Sequence, residues 1–174
     1  MRIPLLAAVI TLNVFAAACG KNPVSSSGTS SGGSTSSGSA GSLPAVKASD
    51  LTFCVDETNR YRAMRGRPGL SRSAALEVYA AAGAESDALT NHAHGHVSTT
   101  TMPGTGLWAE NEVLRWPYNL APTVQGIVAQ AIQSFFGEGP GGGHYENIVG
   151  PYTSIGCGIY IDKDGITIVE DFRQ

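Results

Sequence analysis

Histidine and cysteine are both scarce in this 174-residue sequence, which holds four of the first and three of the second. Basic residues are few and the formal net charge is −3, so nothing points to nucleic acid as a partner. No Gly-Lys-Ser/Thr follows the glycines at 139–143, which argues against a phosphate cradle. Asp162, Asp164 and Gly165 lack the further ligands a calcium loop needs. No internal repeat is present, and no serine or cysteine stands out as an activated nucleophile.

The longest apolar run lies at the start, from Pro4 to Phe15, and it is too short and wrongly flanked to span a membrane. With Arg2 before it and three alanines after it, residues 1–18 read as a secretory signal. The junction Ala16-Ala17-Ala18-Cys19 resembles a bacterial lipobox, with alanine where leucine is usual three residues before the cysteine. Cys19 is then the lipidated first residue of the mature chain. Gly20 after it resembles outer-membrane sorting, so the expected location is the cell envelope, lipid-anchored, or the extracellular space. Loss of Arg2, the only charge in 1–18, takes −3 to −4. An exported chain meets an oxidising compartment, where the two remaining cysteines, Cys54 and Cys157, are free to join. Residues 19–46 are mostly serine and glycine with no apolar period, and they read as a flexible tether. The folded domain is expected over 47–174.

Within that domain Leu51, Cys54, Val55, Thr58 and Tyr61 recur at helical spacing, which predicts a helix over 50–65 stopped by Gly66, Pro68 and Gly69. An alanine-rich helix over 73–89 follows, with Leu76, Tyr79, Ala80 and Gly83 inside. A loop is expected over 99–106 and a short strand or irregular segment over 108–116. Val124, Ile127, Val128, Ala131, Ile132 and Phe135 keep the apolar pattern without a miss, predicting a third helix to Gly137 with Pro122 in its first turn. The glycines at 139–143 are expected to lead His144 into a strand-like segment. Strands over 154–161 and 166–172, joined by a turn at 163–165, close the chain. Helices first and an antiparallel sheet late give an α+β class with packed layers.

Three of the four histidines fall in Asn-His-Ala-His-Gly-His, so His92, His94 and His96 would share one face of an extended segment. Downstream come Trp108-Ala109-Glu110-Asn111, then Glu138 at the end of the third helix, then Gly143-His144-Tyr145. Imidazole nitrogens and carboxylate oxygens suit zinc, and a site that uses only some of them keeps a position open. The same residues equally describe a polar network that rigidifies a cleft.

Taken in order, Asn59-Arg60-Tyr61-Arg62, Gly69-Leu70, the histidine segment, Ala109-Glu110-Asn111, Gly143-His144-Tyr145 and Gly156-Cys157-Gly158 resemble the CAP superfamily of cysteine-rich secretory proteins, antigen 5 and pathogenesis-related proteins. The resemblance implies an α-β-α sandwich with a small antiparallel sheet and a cleft holding two histidines and two glutamates. Carried over, these are His144, Glu110, Glu138 (three residues after Phe135, where the family has tryptophan) and a first histidine. His94 fits that last place best, since His-Gly resembles the family pairing, with His96 next and His92 last. Ala109 stands where the family has glycine. His94 and His144 are the implied metal ligands, with Glu110 and Glu138 beside them, and zinc is the implied cation.

Two functions follow as expectations. One is a membrane-tethered binding domain for a small apolar or lipid-like ligand, or a partner, with a metal-competent cleft. The other is a zinc-dependent hydrolase in which Glu110 or Glu138 acts as general base. No catalytic residue is assigned beyond that alternative.

Overall fold

The structure, a computed structural model, describes residues 44–174. The expected signal, the lipidation site Cys19 and nearly all of the tether lie outside the described residues.

Three long helices form where the periodicity places them. α1 (Ala48–Ala63) opens with Asp50 Oδ2 accepting the Lys47 N–H at 2.8 Å, and it buries Cys54, Val55, Thr58 and Tyr61. α2 (Ala74–Thr90) is capped by Ser73, whose side chain accepts the Leu76 N–H, and it ends at Asn91 in the left-handed region, φ 51°. α4 (Val124–Gly137) buries all six apolar residues of the predicted face. Thr123 is its cap, accepting the Gly126 N–H at 3.1 Å, so Pro122 precedes the cap and is not in the first turn as expected.

The sheet has the order β1 (Ser71–Arg72), β3 (Ser154–Asp162), β4 (Gly165–Arg173), β2 (Trp108–Trp116). β3 and β4 form the predicted hairpin, and β2 pairs antiparallel with β4 along the other side. The expectation of a purely antiparallel sheet needs correction. β1 runs parallel to β3, which makes the sheet mixed. Two residues between a glycine-proline stop and a helix cap are too few to carry a period.

Two shorter helices also depart from the reading of the sequence. α3 (Gly95–Thr99) begins inside the histidine segment, with His94 as its cap at φ 58°, so His92, His94 and His96 do not share one extended face. α5 (Gly143–Val149) occupies the stretch expected to be loop and strand. Glu138 Oε2 accepts its free His144 N–H at 3.0 Å, and Glu146 Oε1 reaches back to accept the N–H of Gly141, just before the cap, at 2.9 Å. Tyr145 and Ile148, three apart, then bury on one side.

Helices cover both faces of the sheet, giving an α-β-α sandwich. On one face α1, α4 and α5 enclose a core that includes Val128, Ile132, Phe135, Ile148, Ile155, Ile168 and Phe172. Cys54 of α1 and Cys157 of β3 are joined by a disulfide across this layer, with Cα atoms 6.4 Å apart. On the other face α2 lies so close to β3 that a Cβ on Gly156 or Gly158 would overlap the backbone of Leu76 and Glu77, or of Ala80. That second layer is built from two small clusters, one of Ala80, Ala84 and Val169 and one of Leu76, Tyr79 and Met102.

Candidate functional site

Strand alternation sends Glu110 and Glu112 of β2 to the α2 face and Asn111 to the other. The turn before α3 delivers His94 to those two carboxylates. Its Nδ1 lies 2.7 Å from Glu110 Oε1 and 3.8 Å from Glu112 Oε2, and its backbone N–H donates to Glu112 Oε2 at 2.5 Å. The imidazole is 45 % exposed while the side chains of Glu110 and Glu112 are 2 % and 0 % exposed, so the ring closes the carboxylates off from solvent. The hydrogen bond to Glu110 raises His94 above the ordinary imidazole value against the opposing effect of burial. Burial pushes Glu112 up to about 7, opposed by the His94 N–H.

The second histidine pairs with the second glutamate. Glu138, just past α4, meets His144 Nδ1 at 2.5 Å as well as its N–H, and the hydrogen bond to the ring holds the Glu138 carboxyl below its usual range. The ring of Phe135 lies 4.7 Å from the His144 ring.

The other two histidines go elsewhere. His96 stacks against Tyr79 at 4.5 Å and its N–H donates to Asp87 Oδ1 at 2.7 Å, which turns it toward α2. His92 is exposed.

Asparagines join the two pairs. Asn147 Nδ2 donates to Glu110 O at 3.1 Å and to Asn111 Oδ1 at 2.9 Å, while Asn111 Nδ2 donates to His144 O at 3.3 Å and to Glu170 Oε2 at 3.1 Å. α5 is therefore tied to β2 between His94–Glu110 on one side and His144–Glu138 on the other. Ligand atoms of His94, Glu110 and Glu112 all lie within 4.8 Å of one another, and among the described residues His144 joins no such group of three. Cys54, Cys157 and Glu170 also cluster, but both sulfurs are held in the disulfide.

Sequence reasoning missed Glu112, Asn147, Asp87 and Asp171. Glu112 was within reach, two residues beyond Glu110 on the same strand face. Asn147 lies one turn past His144, a spacing that means something only once α5 is known to be helical. Asp171 reaches this face through the β2–β4 register, in which it is the partner of Glu110.

The family model described as the cysteine-rich secretory protein family matches residues 55–172. Among curated proteins nothing matches the sequence. Among solved structures, the fold is similar to that of an extracellular protein containing an SCP domain from Bacillus anthracis str. Ames, with a TM-score of 0.54 and 20 % sequence identity. The alignment covers 72 % of this chain and 41 % of that chain, so this chain spans about two fifths of the length of the protein it matches.

Proposed function

The chain belongs to the cysteine-rich secretory protein family, and on that premise we propose that it is an exported binding domain tethered to the bacterial cell envelope through a lipidated Cys19. It takes a small apolar or lipid-like ligand, or a partner, and carries imidazoles able to hold a divalent cation. The observation that supports the reading is the repeated arrangement at His94 and His144, where Nδ1 of each ring meets a glutamate at 2.7 and 2.5 Å. A neutral imidazole that donates from Nδ1 keeps the Nε2 lone pair free, and a carboxylate behind the ring fixes that tautomer and raises its basicity. The donor types present suit zinc, with His94 and His144 to supply nitrogen and Glu110 and Glu138 to orient the rings. Of the two imidazoles, His94 is the one whose ligand atoms gather with other donors, those of Glu110 and Glu112. When bound, zinc supplies Lewis acidity and lowers the pKa of a bound water.

An apolar ligand has a place to lie on the same side of the sheet as α4. Trp116, Pro117 and Leu120, with Gln130, Gln133 and Ser134, line an open groove of about 640 Å³. That volume falls within the usual range of small-molecule sites.

The second reading, a zinc-dependent hydrolase, is favoured by one feature: the Glu138 carboxylate beside His144 is exposed and held below its usual range, so it is ionised and open to a water as general base. Covalent catalysis by thiol is not open to Cys54 or Cys157, which are bonded to each other.

Native mass spectrometry of the untagged protein, reading metal and lipid together, tests the proposal. Zinc that is lost in His144→Ala, with or without co-purified lipid, supports it. Protein that carries neither zinc nor lipid after incubation with both overturns it.

A further inference from the structure

We propose that the cleft beside Trp108 binds a small aromatic carboxylate, its ring laid on the indole and its carboxylate received by the Arg173 guanidinium. This site is separate from the groove at Trp116, which lies at the other end of β2, and it does not rest on zinc.

Strand register places it. Trp108 of β2 is the partner of Arg173 of β4, as Glu110 is of Asp171. All four side chains therefore emerge on the α2 face, with Trp108 and Arg173 next along that face from the two acids. There the segment after α3 closes over the strand ends and leaves a cleft of about 310 Å³. That volume is at the lower end of the range of small-molecule sites. Val97 and Met102, packed against Leu76 and Tyr79, give it an apolar lining, and Trp108 stands beside them 51 % exposed.

Arg173 brings the charge. It also lines the cleft and is only 9 % exposed, yet among the described residues it forms no ion pair. A guanidinium carries five N–H donors, and the backbone oxygens of Met102, Gly104 and Gly106 accept three of them. Nε is buried without a partner, and one N–H of Nη1 is free as well. Asp171, two residues earlier on the same face, does not take them up, since neither of its oxygens has a hydrogen-bond partner. A buried cation without a counter-anion is costly, and a carboxylate brought by the ligand offsets that cost through charge-assisted hydrogen bonds. The three carbonyl contacts also hold residues 102–106 against β4, so one residue sets both the wall of the cleft and its charge.

The same surroundings select the ligand. A half-exposed indole offers a flat apolar surface on which another ring packs offset or edge-on. Glu110 follows on the same face with its side chain 2 % exposed, so its charge is poorly screened and disfavours a phosphate dianion. A planar monoanion matches the planar donors of the guanidinium.

Nuclear magnetic resonance titration of the isotope-labelled protein with benzoate tests the site, following the indole N–H of Trp108 and Trp116 and the Nε–H of Arg173. Benzyl alcohol is the uncharged control. The expected result is saturable benzoate shifts at Trp108 and Arg173 with Trp116 unmoved, and an affinity about tenfold or more above that of benzyl alcohol. Trp108→Ala, at an exposed position, should weaken benzoate about three- to tenfold. Arg173→Lys, which loses the planar fork, should weaken it by about tenfold. If Arg173→Lys fails to fold, Trp108→Ala and the benzyl alcohol comparison decide. The site is overturned by an absence of saturable shifts at Trp108 and Arg173, by equal affinity for benzyl alcohol, or by full benzoate affinity in folded Trp108→Ala. Shifts confined to Trp116 overturn it too, and they leave the apolar groove of the proposed function standing.

Discussion

Glu138 holds His144 twice, with Oε2 accepting the backbone N–H at 3.0 Å and Oε1 meeting Nδ1 at 2.5 Å. One exposed carboxylate thereby fixes both the start of α5 and the direction of the ring. Glu138→Ala removes both contacts without opening the apolar core. Zinc affinity should fall on the order of 10- to 100-fold, the usual cost of losing a group that orients a ligand. Competition with a chromophoric chelator measures it, and unchanged affinity would detach His144 from the metal.

Glu170 faces the opposite side of β4 from Asp171 and is fully buried between Thr58 and Asn111. Thr58 has one hydroxyl hydrogen for two acceptors, Cys54 O at 3.0 Å and Glu170 Oε1. A proton on Glu170 resolves the conflict by donating to Thr58. Burial raises this carboxyl from 4.5 to about 7. A raised folded pKa means stability that is complete below pH 4.5 and lost as pH rises through 7, about 3 kcal/mol in all. Glu170→Gln, isosteric with the neutral acid, should flatten that fall. Thermal unfolding between pH 5 and 8 checks it, and parallel profiles for wild type and variant would refute it.

The disulfide links residues 103 apart in sequence. Replacing both Cys54 and Cys157 with alanine frees a loop of that length in the unfolded chain. The expected loss is on the order of 4 kcal/mol, read as a lower urea midpoint with a slope that rises as the unfolded chain expands.

Glycine matters at Gly158 and not at Gly137. Gly158→Ala drives a methyl into the backbone of Ala80, so α2 must move off β3, at a cost of roughly 1–3 kcal/mol or more. Gly137, the last residue of α4, has nothing within 4 Å of a built Cβ. Gly137→Ala should be neutral or add up to about 1 kcal/mol. Denaturant melts of the two variants side by side make the comparison.

Anchoring through Cys19 predicts that Cys19→Ser moves the protein from the membrane fraction to the soluble one. Stable attachment takes about two acyl chains, so partial acylation should give partial release. Intact mass of the N-terminal peptide reads the lipid directly. A peptide without lipid mass, and fractionation unaltered by the substitution, would remove the tether from the proposal.

How much of this was legible in the sequence depends on the range of the interactions involved. α1, α2, α4 and the β3–β4 hairpin follow from residues within a turn or two of each other, because an element that buries one face repeats its apolar positions at its own period. The residue set His94, Glu110, Glu138 and His144 was also nameable, as was the Cys54–Cys157 pair. α5 was not, because seven residues hold too little period and its start is satisfied by Glu138, a residue outside the helix. Nor could the sequence say that His94 goes to Glu110 and His144 to Glu138, or that His96 turns away toward Tyr79. Asp171 reads as one more residue of a buried strand until β4 pairs with β2 and sets it opposite Glu110. Periodicity reports which face a side chain takes along its own element; which partner waits on that face is decided by register and helix packing, and those are long-range properties of the folded chain.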